Sequence, residues 1–113
     1  MTVLDASKRN IKKIKKEIIP NNIVICYYYS DRCPYCIMIK GLIKEITDKY
    51  KERKDIIIIK INREILKSLD DSMQIDLVPT IIAYKNGNKI SEFKKRREYE
   101  NIINYIEKNK NII

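Results

Sequence analysis

The 113-residue chain has no histidine and no tryptophan, one phenylalanine, two glycines and three prolines. Without histidine there is no Ser-His-Asp or Cys-His nucleophile pair, no imidazole base near neutrality and no His-ligated zinc. Three cysteines alone leave a four-ligand N/S zinc site incomplete, so no metal is expected. Scarce Gly and Pro argue against linkers, collagen-like repeats and low-complexity disorder. Apolar runs such as Ile56 to Ile59 are far too short to span a bilayer, so no membrane partner is expected. The start Met1-Thr2-Val3-Leu4-Asp5 lacks the apolar core of a secretory signal. A reducing, cytoplasmic setting is therefore expected, where an isolated cysteine pair is more often catalytic or metal-binding than structural.

What is present fits one domain, residues 1–113, with a modest core: 44% of residues are apolar and 35% charged. The net charge of +9 favours acidic partners in general but specifies none. Lys12 to Lys16 read as a solvated helix face, so a nucleic-acid partner is not expected, and a monomer is; with Lys94-Lys95-Arg96-Arg97 they form the patches that motivate a basic binding module as an alternative.

From Lys8 to Ile19, Ile11, Ile14 and Ile18 recur at helical spacing, with Ser7 or Asp5 able to cap the start and Pro20 ending the run. Ile23 to Tyr29 is uncharged, β-branched and aromatic, and reads as a central strand buried on both faces. Cys26 within it reads as an inert core thiol. After Ser30-Asp31-Arg32, Cys33-Pro34-Tyr35-Cys36 opens a helix running through Ile39, Leu42, Ile43, Ile46 and Tyr50, with Gly41 as a point of bending. Ile56 to Ile61 reads as a second, parallel strand. Asn62 to Ser72 holds a helical turn with Ile65, Leu66 and Leu69 on one side. Val78-Pro79-Thr80 leads into Ile81 to Tyr84, and Asn86-Gly87 joins that run to Ile90–Phe93 as a hairpin. A last helix is expected over Tyr99 to Lys108, with Ile102, Ile103 and Ile106 inward. The fold class is α/β: a mixed sheet of four strands, with Thr2 to Leu4 as a candidate fifth, and helices on both faces.

The chemistry sits in the cysteine pair. A Cys-X-X-Cys at a strand-to-helix junction places its first sulfur beside unpaired backbone N–H groups, which favour thiolate over thiol. Cys33 is thus the expected nucleophile, and Cys36, one turn further and more buried, the expected resolving thiol.

These features resemble the thioredoxin superfamily from Ile11 to Lys108. The likeness rests on Cys33-Pro34-Tyr35-Cys36 at the helix start, Val78-Pro79-Thr80 before the hairpin and Tyr84-Lys85-Asn86-Gly87 at the turn. The resemblance implies a cis Pro79 facing the cysteines and a Val78 backbone that pairs with extended substrate. It also implies a lysine beneath the active site at Lys60, and it puts Gly41 where thioredoxins carry a helix-kinking proline. The Pro34-Tyr35 dipeptide follows the glutaredoxin pattern, yet the glutathione-holding Gly-Gly-Asp stretch of glutaredoxins is lacking. Arg32 replaces the usual tryptophan, and Tyr27 replaces the buried aspartate that helps deprotonate the resolving cysteine.

Two expectations follow. Arg32 should stabilise the Cys33 thiolate and make the pair less reducing than a typical thioredoxin. Loss of the buried carboxylate should slow attack by Cys36 unless Lys60 or water takes the proton. The resemblance implies a thiol–disulfide oxidoreductase acting on protein disulfides through Cys33 and Cys36. No bound cofactor is needed, since electrons come from a thioredoxin reductase or glutathione. The alternatives are a glutathione-dependent glutaredoxin and a redox-idle binding module; an oxidase or isomerase like a protein disulfide isomerase domain is disfavoured, because neither a secretory signal nor a retention tail is seen.

Overall fold

The computed structural model describes residues 2–67, 75 and 77–111. Its strands are β1 (Val3–Asp5), β2 (Ile23–Tyr29), β3 (Ile57–Asn62), β4 (Thr80–Lys85) and β5 (Asn88–Glu92). Among the described residues they form one five-stranded mixed sheet in the order β1-β3-β2-β4-β5. β3 lies parallel to both β1 and β2, whereas β4 runs antiparallel to β2 and to β5. The candidate edge strand is therefore real, shifted by one residue to Val3–Asp5. The β4–β5 turn has positive φ at both Asn86 (50°) and Gly87 (87°), the conformation that suits an Asn-Gly hairpin.

Side chains alternate across the sheet and feed two cores. On one face Ile25, Tyr27, Ile58 and Ile81 pack under α3 (Lys40–Tyr50) and α5 (Tyr99–Lys110), meeting Ile43, Ile46, Ile102 and Ile106. On the other, Val24, Cys26, Tyr28, Ile59 and Ile61 pack against Ile11, Ile14, Ile19 and Leu66. Burying each such side chain contributes roughly 1.5–3 kcal/mol. The buried Tyr28 hydroxyl is not left alone: it lies 2.9 Å from the Tyr84 hydroxyl.

The N-terminal helical stretch departs from the expected Lys8–Ile19 helix. A short α1 (Ile11–Lys13) widens into a π-helical turn, Ile14–Ile18, and closes with a 3₁₀ turn, Ile19–Asn21, that includes Pro20. The Ile19 N–H reaches back five residues to the Ile14 carbonyl. That extra residue in the turn carries the buried stripe from Ile18, which is half-buried, to Ile19, which is 4% exposed. The N-cap of α1 is Asn10, not Ser7 or Asp5, and it makes no side-chain cap bond into the helix; its Oδ1 instead accepts the Ser7 N–H at 2.7 Å.

The helix after the cysteines also differs. It is two pieces, α2 (Pro34–Met38) and α3, broken at Ile39 (φ −93°, ψ 6°), two residues before Gly41. Ile39 is 7% exposed, so the break turns its side chain into the core. The turn after β3 is α4 (Arg63–Lys67), which buries Leu66; Leu69 lies outside the described residues. α5 runs two residues beyond its expected end.

Candidate active site

The chain leaves the C-terminal end of the central strand β2, and Ser30-Asp31-Arg32 turns it into α2 with Cys33 as the N-cap (φ −87°, ψ 115°). Pro34 takes the next position, where its missing N–H costs nothing. The extended N-cap aims the Cys33 sulfur back at the first turn, where it accepts the Cys36 N–H at 3.2 Å. The Val78–Pro79 peptide is cis, and the Val78 carbonyl lies 3.7 Å from Cys33 Sγ. Cys33 is half-buried and Cys36 is 5% exposed.

The two thiols are driven apart electrostatically. A hydrogen bond from the Cys36 thiol holds Cys33 below its ordinary range; the backbone N–H groups of Cys36 and Tyr35 and the Arg63 charge add to this, against a smaller opposing effect of burial. Burial pushes Cys36 up to about 11, and its hydrogen bond to the Cys33 sulfur acts in the same direction. Because α2 is only five residues long, the stabilisation of Cys33 comes from local donors rather than a long aligned helix.

Arg32 is exposed, its N–H held by Ser30 Oγ at 3.2 Å, and the Arg63 charge at the start of α4 also lowers Cys33. Adjacency in sequence marks only Arg32, whereas Arg63 is brought to Cys33 by the fold.

Arg97 is a second residue that sequence reading missed, since the Lys94-Lys95-Arg96-Arg97 run reads only as a basic patch. Its Nη2 donates to the Pro79 carbonyl at 2.7 Å, and its guanidinium sits 5.1 Å from the centre of the Tyr35 ring. Its charge lowers Cys36 against the effect of burial. Arg97 thus links the cis-proline loop, the X-X dipeptide and the resolving thiol. No spacing rule singles it out, since the contact depends on how the loop before α5 folds back.

Tyr27 and Lys60 lie beneath α2 and α3. Tyr27 stacks on Tyr29 with ring centres 5.6 Å apart, and burial holds its phenol well above the ordinary range. Lys60 pairs with Asp5 of β1 at 3.2 Å. A cleft of about 1010 Å³ opens between these strands and the two helices, and Cys36, Tyr27, Lys60 and Asp5 all line it. On α2 and just before Val78, Tyr35, Ile37, Met38 and Leu77 leave apolar surface exposed.

The thioredoxin family model matches residues 3–108. The chain belongs to the thioredoxin family. Relatives of this thioredoxin-family chain include protein disulfide-isomerases of Ricinus communis and Drosophila melanogaster, each 25% identical over 87 residues. Those matches cover 77% and 76% of the chain but only 18% and 17% of the relatives, so it spans less than a fifth of their length. Among solved structures, a mutant thioredoxin from Halobacterium salinarum NRC-1 superposes with a TM-score of 0.68 at 17% identity, over 98% of this chain and 91% of that one. Human ERp44 gives 0.77 at 20% identity, over 96% of this chain and 33% of that one. These likenesses establish the thioredoxin fold, and the family is one of redox proteins. Among the described residues no helix is long and apolar enough to cross a membrane.

Proposed function

We propose that the chain is a cytoplasmic, monomeric thiol–disulfide oxidoreductase that reduces disulfides in protein substrates. The observation that supports this best is the Cys33 sulfur accepting the Cys36 N–H at 3.2 Å, with the two thiols shifted in opposite directions. The Cys33 thiolate attacks one sulfur of a substrate disulfide; that S–S bond breaks, and the other sulfur leaves as a thiolate with the bonding pair. Cys36 then loses its proton and attacks Cys33 Sγ. The mixed disulfide breaks, the substrate's second sulfur leaves as a thiolate, and a Cys33–Cys36 disulfide remains. Two electrons have moved from protein to substrate, and a thioredoxin reductase or glutathione returns them. Val78 and the exposed Tyr35 and Met38 supply backbone and apolar contacts for an extended segment beside Cys33.

The disulfide-isomerase relatives favour a second reading, in which the pair donates rather than removes disulfides. The reduction potential separates the two, measured against glutathione together with turnover by thioredoxin reductase. A potential less reducing than about −270 mV with reductase turnover fits the proposal, while one near −180 mV without it fits a disulfide donor. Turnover by glutathione alone would assign a glutaredoxin. Cys33→Ser must abolish activity and Cys36→Ser must trap substrate; a Cys33→Ser protein that retains its function is a binding module.

A further inference from the structure

Tyr27 of β2, Lys60 of β3 and Asp5 of β1 form one rung across three neighbouring strands. Lys60 is the register partner of Tyr27 on one side and of Asp5 on the other. Partners opposite one another project to the same face, and two strand spacings put the ends of the rung about 10 Å apart. That face lies under α2 and α3, and all three side chains line the same cleft as Cys36. The inner end is buried, with Tyr27 6% exposed, while the Asp5 side chain at the outer end is 72% exposed and held by Lys60 at 3.2 Å. The rung therefore runs from the resolving thiol to bulk water.

We propose that this rung is the route by which the Cys36 proton leaves during resolution, with the Asp5 carboxylate as acceptor and Lys60 as the residue that positions it. The proposal rests on the oxidoreductase reading above and adds to it the origin of the base. In the step, the Cys36 S–H bond breaks and its electron pair forms the new bond to Cys33 Sγ. The substrate thiolate leaves, and the proton passes by way of water in the cleft to Asp5, which returns it to solvent. The cleft volume exceeds the roughly 30 Å³ of one water many times over, so a water path past the Tyr27 hydroxyl is sterically open. Tyr27 itself is no acceptor, because a buried neutral phenol has no basicity near pH 7.

Other charged groups face the same cleft. From α3 come Lys40, Lys44, Asp48 and Lys51, of which Asp48 is bound to both Lys44 and Lys51 at 2.9 Å. From the loop before α2 comes Asp31, whose Oδ2 accepts the Asn62 amide at 3.0 Å; β2 adds Tyr29. Cys36 also feels Cys33 and Arg97. Asp48 is neutralised by two ammonium groups, so among the described residues lining the cleft Asp31 is the competing carboxylate.

The test is acid-quench mass spectrometry of a single turnover with a fluorescent peptide disulfide, from about pH 6 to pH 9, which separates formation of the Cys33 mixed disulfide from release of the peptide. Asp5→Asn and Lys60→Met are expected to slow release about fivefold near pH 7 and to accumulate the mixed disulfide, with its formation changed less than twofold. Asp5→Glu and Lys60→Arg should restore most of the rate. The exposure of Asp5 makes misfolding of Asp5→Asn a small risk, and circular dichroism checks it. Release at the parent rate in Asp5→Asn at every pH overturns the proposal, as does slowing confined to Asp31→Asn. If the parent protein forms no mixed disulfide at all, the oxidoreductase reading fails instead, a distinguishable result.

Discussion

Arg97 Nη2 lies 2.7 Å from the carbonyl oxygen of Pro79, tying the loop before α5 to the cis-proline loop. The same guanidinium covers the Tyr35 ring and offsets part of the burial effect on Cys36. Arg97→Met keeps the side-chain volume but removes the charge and the donor. Cys36 should then titrate above its present value of about 11, and peptide release should slow while the first attack by Cys33 is largely kept. Losing a charged hydrogen bond to a part-buried carbonyl should also cost about 1–2 kcal/mol in urea unfolding. Differential alkylation of Cys36 against pH checks the first outcome; an unchanged Cys36 profile would remove Arg97 from the site's electrostatics.

Arg63 and Arg32 make opposite predictions about Cys33. If the charge at the start of α4 is the cation that counts, Arg63→Met slows iodoacetamide alkylation of Cys33 at pH 6 by about threefold, because the thiolate loses part of its stabilisation. Arg32→Met, altering an exposed side chain, should leave the rate within twofold of the parent. Equal slowing in the two variants would restore the role expected from sequence adjacency.

How much of this was legible beforehand depends on how local the signal is. The Ile23–Tyr29 and Ile56–Ile61 runs, the Asn86-Gly87 turn and the Cys33–Cys36 spacing each carry their physics within a few residues, and the corresponding elements lie within one or two residues of expectation. The π-helical turn at Ile14–Ile18 was invisible because three isoleucines fit an α-helical stripe as well; only the sheet beneath decides that Ile19 and not Ile18 is buried. The helix break was placed at Gly41, the residue with the lowest intrinsic preference, whereas packing of Ile39 puts it two residues earlier. Arg63, Arg97 and the Asp5–Lys60 pairing belong to tertiary structure, where partners are 18 to 62 residues apart and no local spacing brings them together.

Cys26 lies 0% exposed in the second core, its thiol pushed up to about 12 by burial. It should resist alkylation in the folded protein and react only on unfolding. Cys26→Ala should leave peptide reduction unchanged and cost about 1–2 kcal/mol of stability, the loss of a small buried group plus its cavity. The raised thiols also set a pH dependence for the reduced protein. Between the ordinary thiol pKa of about 8.5 and their folded values of about 12 and 11, Cys26 and Cys36 keep protons that the unfolded chain has released, so stability falls as pH rises through that window. Cys33 acts with the opposite sign, because its folded value is lowered: its contribution is present above the ordinary thiol range and fades as pH falls through the folded value. Urea midpoints of the reduced protein should accordingly decline from pH 9 to pH 10, and less so in Cys26→Ala.

The far end of the molecule offers a test that leaves the cysteines alone. Glu107 on α5 accepts the Tyr50 hydroxyl at 2.5 Å and the Lys110 ammonium at 2.9 Å, with Arg53 at 3.6 Å, so one carboxylate joins the end of α3 to α5. The Tyr50 hydrogen bond, followed by the Lys110 one, holds Glu107 below the ordinary carboxylate range. Its contribution is therefore complete above about pH 4.3 and is lost as pH falls through the lowered folded value. Glu107→Gln keeps the shape but weakens both bonds. Tyr50 is 0% exposed and its hydroxyl donates to Glu107, so the loss should exceed that of a surface ion pair. Glu107 is itself about one-third exposed, which holds the figure to about 1 kcal/mol. Thermal unfolding at pH 7 and at pH 3 measures both halves: the variant should fall below the parent at pH 7 and converge on it at pH 3, while Cys33 alkylation stays the same. A gap that persists undiminished in acid would mean that packing, not the carboxylate's charge, holds α3 to α5.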